Sequence, residues 1–236
     1  LPPKQYNPIP VSISNSDLYV RARDELIEYL KEHARLEKSF IESIQDLPEA
    51  DRNLEIARYR ADKARRAERA ETLVKINTLR RLAAIGKLIQ AQAWIDDFME
   101  SNPRSKLVIF AWHDEVIKEL SKRLKCHMVI SGSMNDTNKY ATAITFQTVA
   151  AERLIICNIQ SAGVAIPLHA ANDVLFLESA WSPLLADQAE DRIVDMDKRV
   201  PVFVHNMMAI NTIDETIRDL LLYKRQMSDS ALDGNG

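Results

Sequence analysis

Five short apolar runs after Asn102-Pro103 constrain this chain most: Leu107–Trp112, Met128–Ser131, Leu154–Cys157, Val174–Leu177 and Val202–Val204. Between and after them lie longer amphipathic stretches, around 114–124, 137–149, 183–193 and 212–224. Strands that are apolar on both faces must be covered on both faces, and alternation with helices achieves this in a parallel sheet flanked by helices. The expected fold class is therefore α/β, with ligands beyond the carboxyl ends of the strands. The loops to inspect are Trp112-His113, Ser131-Gly132-Ser133, Asn158 to Leu168 and Glu178 to Pro183.

Before residue 105 the character is different. Ile9 to Ser14 alternates apolar and polar residues, which predicts a short strand. Asn15-Ser16-Asp17 offers N-cap oxygens, and Leu18, Ala22, Leu26, Tyr29 and Leu30 share a face, predicting a helix over 16–34. After the turn at Leu47-Pro48, a long charged helix is expected through Arg58, Arg60, Lys63, Arg65, Arg66 and Arg69. A third helix is expected over 73–99. The division expected is a linker and helical protrusion over 1–72 and an α/β lobe over 73–236. Two readings of the arginine-rich helix stay open: a solvated face laced with i to i+4 ion pairs, or a ridge facing nucleic acid through residues such as Arg65 and Arg66.

Composition excludes several functions. The chain has 236 residues and only 5 glycines, where ordinary usage of about 7% gives roughly three times as many. Gly86, Gly132 and Gly163 stand far apart, and Gly86-Lys87 is followed by Leu88 instead of Ser or Thr, so there is no phosphate-cradling P-loop here. Cys126 and Cys157 have no partner at metal-ligand spacing, so no metal site is expected and both read as buried, reduced thiols in a reducing compartment. The longest apolar run is far short of the roughly 20 residues of a membrane span. Net charge is −3, so any contact with a polyanion must come from a local basic face.

The segment Ser182-Pro183-Leu184-Leu185-Ala186-Asp187-Gln188-Ala189-Glu190-Asp191-Arg192 carries the strongest chemical signal. Pro183 opens a helix where a missing N–H is harmless, and Gln188 and Arg192, four apart, share a face. An arginine at the mouth of a parallel sheet suits the phosphates of an adenine nucleotide, because its planar fork neutralises charge on a transferring phosphoryl group.

In order along the chain stand Lys106 to His113, Ile130 to Ser133, Asn158 to Ala165, Glu178 to Pro183 and Gln188 to Arg192. Together they resemble the second RecA-like lobe of Swi/Snf-type superfamily-two helicases, and most closely the HARP-like annealing helicases with their bacterial and phage relatives. The resemblance extends to Leu1-Pro2-Pro3-Lys4, which is similar to the end of a first lobe, to Leu79–Lys87, and to Thr212–Ile217. It implies a RecA-like sheet with an N-terminal helical extension. It also implies a DNA-dependent ATPase that closes two lobes over ATP and Mg²⁺ to translocate on, remodel or anneal duplex or branched DNA. The P-loop and metal-binding acids then belong to the enzyme's own N-terminal lobe, so this lobe alone binds no cofactor and does not hydrolyse ATP. Bacterial or phage-infected cytoplasm, or a eukaryotic nucleus, is the implied location, with no membrane partner.

Carried onto this chain, the resemblance makes Arg192 the phosphate-sensing arginine, Gln188 its partner in the last motif, and Gly163 part of the loop reaching nucleotide and DNA. His113, Gly132, Ser133, Asn158 and Gln160 fall where relatives touch DNA phosphates, and Trp181 is placed beside the coupling loop or the DNA. For three of these a local role stays open: His113 as a helix cap, Gly132 as a turn, Trp181 as core. The chain also departs from the pattern, with Asp195 in place of a second arginine, Met196-Asp197 in place of Ile-Gly, Ala165 in place of a glycine, and Pro167 in place of Asn or Thr. These departures favour an alternative, a noncatalytic DNA-binding or partner-docking module derived from such a lobe.

Overall fold

The computed structural model describes residues 2–163, 166–195 and 200–233, and the side chains of these except at 63–65, 162 and 228–233. Two compact units emerge, one of residues 1–14 with 83–236 and the other of residues 15–82.

The first unit is built on six parallel strands, β1 Lys4–Val11, β2 Leu107–Ala111, β3 Val129–Ile130, β4 Leu154–Asn158, β5 Asp173–Phe176 and β6 Val202–Ala209. Their order across the sheet is β1-β6-β5-β2-β4-β3. Helices α3 (Lys63–Ser101, which contributes its residues from 83 onward), α4 (Asp114–Leu124), α5 (Asp136–Thr148), α6 (Pro183–Glu190) and α7 (Ile213–Asp233) accompany the sheet.

Strand β2 shows why continuous apolar runs were needed. Side chains alternate between the two faces, so Leu107, Ile109 and Ala111 pack with Leu88, Ile95, Ile117 and Leu120 of α3 and α4. Val108 and Phe110 pack on the other side with Ala143 and Phe146 of α5 and Ala189 of α6. All five residues of β2 are buried.

The strand order places β1 at an edge, which accommodates Pro8 and Pro10 because an edge residue need not donate to the ladder on its outer side. This strand begins and ends earlier than the alternation of residues 9–14 predicts, since eight consecutive pairings with β6, from Lys4↔Val202 to Val11↔Ala209, fix its span. Pairing with β5 carries β6 to Asn206 and pairing with β1 carries it on to Ala209, well past the expected Val204.

The second unit contains α1 Ser16–Ser43, α2 Glu49–Ala61 and the start of α3. Helix α1 runs past the expected residue 34. The long charged helix is not continuous: it breaks at Asp62, whose ψ of 149° is extended, and Arg66 N–H donates to the Asp62 carbonyl at 3.1 Å to open α3. Nothing in the sequence breaks the chain at the expected boundary near 72, and α3 passes through it. Within this unit Phe40 stacks on Tyr59 at 4.1 Å, and Arg60 donates to Glu37 at 2.9 Å.

Candidate active site at the carboxyl edge of the sheet

Because every strand is parallel, the loops after β2, β3, β4 and β5 emerge at one edge, and the side chains of Glu178 and Asn158 knit those after β2, β4 and β5 together. The carboxylate of Glu178 is the centre. Only 3% exposed, it accepts the N–H groups of Trp112 and His113 on Oε2 at 2.8 and 2.9 Å, and its Oε1 lies 2.6 Å from His113 Nδ1. A buried carboxylate requires such donors. His113 occupies the N-cap position of α4 without capping it through its side chain; its ring is held by Glu178 instead.

Asn158, buried at the end of β4, donates through Nδ2 to the Trp112 carbonyl at 3.0 Å and to Asp114 Oδ1 at 2.9 Å. Its Oδ1 accepts the Gln160 N–H at 2.8 Å. Asn158 thus fixes the β2 loop to the 3₁₀ turn Ile159–Gly163 that carries Gln160 and Gly163. Gln160 itself is exposed. Trp181 is half-buried and meets Trp112 edge to face at 6.3 Å.

After β3, Ser131 and Ser133 bring their hydroxyls within 3.2 Å, and Gly132 lies exposed between them. A methyl group added at Gly132 meets nothing within 4 Å and its φ is not positive, so neither crowding nor backbone strain demands glycine there.

Helix α6 begins as its sequence predicts: Ser182 accepts the Leu185 N–H and Pro183 takes the first turn. It ends at Glu190, three residues earlier than expected. Arg192 lies in the following turn, where its carbonyl accepts the Leu168 N–H at 3.0 Å and its Nε–H donates to the Gln188 carbonyl at 3.2 Å. Burial of its half-exposed guanidinium pulls the pKa below the ordinary arginine value, with the Cys157 charge opposing. No carboxylate among the described residues pairs with it. The Gln188 side chain is exposed, so Gln188 and Arg192 meet through a backbone carbonyl.

Asp195 is turned toward His169, 4.0 Å from Nε2. Ala165, Met196 and Asp197 lie outside the described residues, as does the Arg65 side chain; Arg66 is exposed on α3. The ridge through Arg58 to Arg69 is divided by the break at Asp62, and Arg58 and Arg60 are paired with Glu55 and Glu37. No group of three or more His, Cys, Asp or Glu fit to hold a metal occurs among the described residues, and none of the described helices is long and apolar enough to cross a membrane.

The sequence reading missed two sets of residues. Glu178, which the sequence marks only as the start of the Glu178–Pro183 loop, shows no local sign of its role, since its partner His113 is 65 residues away. The second set surrounds Glu190, which is 3% exposed. Its Oε2 accepts Lys4 Nζ at 2.9 Å and the Tyr6 hydroxyl at 3.0 Å, and one turn earlier Asp187 accepts Arg225 of α7 at 2.5 Å. Burial and the Glu190 charge raise the Tyr6 phenol. Burial acts to lower Lys4, but Glu190 and Asp191 outweigh it and hold the ammonium above its usual value.

A six-stranded parallel sheet with helices on both faces and its connecting loops at the carboxyl edge is a RecA-like fold. More specifically, the same fold is found in the C-terminal domains of SWI2/SNF2-type ATPases, and similar sequences include SWI/SNF-related proteins and ATP-dependent or annealing helicases. The C-terminal part of the Fun30 ATPase domain superposes with a TM-score of 0.64 over 94% of this chain and 90% of its own length, at 17% identity. A Sulfolobus solfataricus SWI2/SNF2 ATPase core in complex with dsDNA gives 0.66 over 96% of this chain and 45% of its own, at 18% identity. In sequence, the chain is 30% identical over 135 residues to the bovine SWI/SNF-related matrix-associated actin-dependent regulator of chromatin subfamily A-like protein 1, covering 56% of this chain and 14% of that protein. It is 29% identical over 140 residues to the human DNA annealing helicase and endonuclease ZRANB3, covering 58% and 13%. The chain therefore spans about one seventh of these curated relatives. No protein-family model matches it.

Proposed function

We propose that this chain is the C-terminal lobe of a DNA-dependent ATPase that translocates on, remodels or anneals duplex or branched DNA, working with its own N-terminal lobe. The observation that carries the reading is Arg192: a half-buried guanidinium at the carboxyl edge, steered by the Gln188 carbonyl and unpaired with any carboxylate among the described residues. Such a group fits a phosphate, and it is always charged near neutral pH.

ATP, bound with Mg²⁺ in the two-lobe enzyme, supplies the transferable phosphoryl group. Arg192 neutralises charge on the phosphates, and Gln188 and Gly163 line the same edge. Asn158 and Glu178 hold the loops that present His113, Gln160 and Trp181, while Gly132 and Ser133 offer backbone N–H and hydroxyl groups to DNA phosphates, contacts that position a duplex without reading its bases. Residues 73–236 together with strand β1 provide the lobe, and the rest of residues 1–72 the linker and helical protrusion, where Arg65 and Arg66 are the candidate DNA contacts. The bacterial cytoplasm or the eukaryotic nucleus is where such an enzyme meets its DNA.

Joined to a first lobe, the protein is expected to hydrolyse ATP in a DNA-stimulated manner, and Arg192→Ala to abolish that activity; unchanged hydrolysis in the variant removes Arg192 from its role. Asp195, in place of a second arginine, favours a second reading as a noncatalytic DNA-binding or partner-docking module. That reading requires salt-sensitive duplex binding with no ATPase activity even when a first lobe is present. Substituting Arg65 and Arg66 by Glu weakens duplex binding if the start of α3 faces DNA, and unchanged affinity returns it to an ordinary solvated surface.

A further inference from the structure

We propose that Glu190 is a positioning residue for Arg192, and that strand β1, through Lys4 and Tyr6, sets the orientation of the helix end that presents the guanidinium. The inference rests on the reading of Arg192 as a phosphate-facing group.

Helix α6 is eight residues long and packs on the core through Ala189, with Leu185 and Ala186 partly buried beside it, while Leu184 is 65% exposed. Its last turn is also fastened by polar contacts on both sides. Lys4 and Tyr6 are two apart on β1 and so project from the same face, and both donate to one oxygen of Glu190. The neighbouring Asp191 gives Lys4 a second, exposed contact at 3.2 Å. On the other flank Arg225 of α7 grips Asp187 and interacts with the Tyr6 hydroxyl.

The backbone continues from this clamp directly to Arg192. Asp191 N–H donates to the Asp187 carbonyl at 2.8 Å, Ile193 N–H to the Glu190 carbonyl at 3.0 Å, and Arg192 Nε–H to the Gln188 carbonyl. The side chain of Glu190 therefore anchors the same turn whose Gln188 carbonyl accepts from the guanidinium. A buried ion pair is a poor way to gain stability, since apolar residues of similar size often do as well; its better-attested use is to select one arrangement over others. Here the arrangement selected is the angle at which α6 leaves the sheet, with the edge strand β1 as reference.

The test has two arms. In the 236-residue chain, exchange of the Arg192 Nε–H is followed by NMR in wild type, Glu190→Gln, Lys4→Met and the milder Tyr6→Phe. The expected result is faster exchange by about tenfold in the first two variants, with amides of the central strands β2 and β5 still slow. Unchanged exchange at Arg192 overturns the inference, as does a rise shared equally by the central strands. In the two-lobe polypeptide, Glu190→Gln lowers kcat for ATP with KM unchanged, and the charge exchange Lys4→Glu with Glu190→Lys recovers kcat. If Arg192→Ala abolishes hydrolysis while Glu190→Gln leaves kcat untouched, the clamp is structural only and the inference fails alone. If wild type shows no hydrolysis, the parent reading fails, and the exchange measurement still decides whether Glu190 positions Arg192.

Discussion

Lys87 Nζ lies 2.7 Å from the Asp214 carboxylate in the interior of the lobe, at 1% side-chain exposure for the lysine and 10% for the aspartate. The same ammonium donates to the carbonyls of Leu177 at 2.5 Å and Met207 at 3.0 Å, while Asp214 also accepts the Ala209 N–H at 3.0 Å. One buried cation thus ties α3 to the ends of β5 and β6 and to the first turn of α7. Leu177 immediately precedes Glu178, so the tie lies directly beneath the network that holds His113.

Removing one member of this pair strands the other. Lys87→Met is expected to destabilise the lobe by about 3–5 kcal/mol, the usual range for breaking a buried ion pair. Adding Asp214→Asn, which removes the uncompensated charge, recovers part of the loss. Urea unfolding of the two single variants and the double checks this, and strictly additive losses contradict it.

Glu178→Gln keeps the shape of the side chain but substitutes a donor for one of two acceptor oxygens facing the N–H groups of Trp112 and His113 and the His113 ring. The expected cost is about 1.5–3 kcal/mol, as for a hydrogen bond to a charged group, together with weaker duplex binding because the β2 loop is released. A thermal midpoint and duplex affinity identical to wild type rule this out.

Lys106 closes the end of α5 by donating to the carbonyls of Phe146, Val149 at 2.8 Å and Glu152 at 2.9 Å, and lies over the Phe146 ring at 4.9 Å. A cation suits a helix C-terminus, where carbonyls without helical partners concentrate negative charge. Lys106→Met is expected to cost about 1–3 kcal/mol and to raise amide exchange at the end of α5 first. Uniform exchange throughout the lobe argues against a capping role.

Burial pushes the Cys157 thiol up to about 12, with nearby Arg192 opposing. The folded value is raised, so this group's contribution to stability is complete below the ordinary value of 9.0 and is lost as pH rises from there through about 12. At pH 8 a thiol reagent is expected to leave Cys157 unmodified in the native chain and to modify it on unfolding. Stability measured between pH 8 and 10.5 is expected to begin falling near 9. Rapid native-state labelling of Cys157 contradicts its placement.

Much of the lobe is legible in the chain. The apolar runs at Leu107, Leu154 and Val174 become the three central strands because a strand covered on both faces leaves an unbroken apolar signature. Ser182-Pro183 opens α6 because capping and proline geometry are local. Boundaries set by distant partners are less legible: β1 is fixed by its register with β6, and α6 stops at Glu190, whose side chain is claimed by Lys4, 186 residues away.

The same distinction holds at the site. Sequence places His113, Asn158, Gln188 and Arg192 at the carboxyl ends of parallel strands or just beyond them, and parallel order then brings their loops to one edge. It does not reveal that Asn158 is spent on holding loops, that Asp195 turns toward His169, or that Gly86-Lys87 marks a buried tie to Asp214 in place of a phosphate loop. Periodicity and capping repeat within a few residues and can be read along the chain. Whether a charged side chain is solvated, or buried against a partner folded in from far away, leaves no such local mark. For Glu178, Glu190 and Lys87 only the tertiary structure decides it, because burial makes a paired charge obligatory and the fold alone determines which distant group supplies the pair.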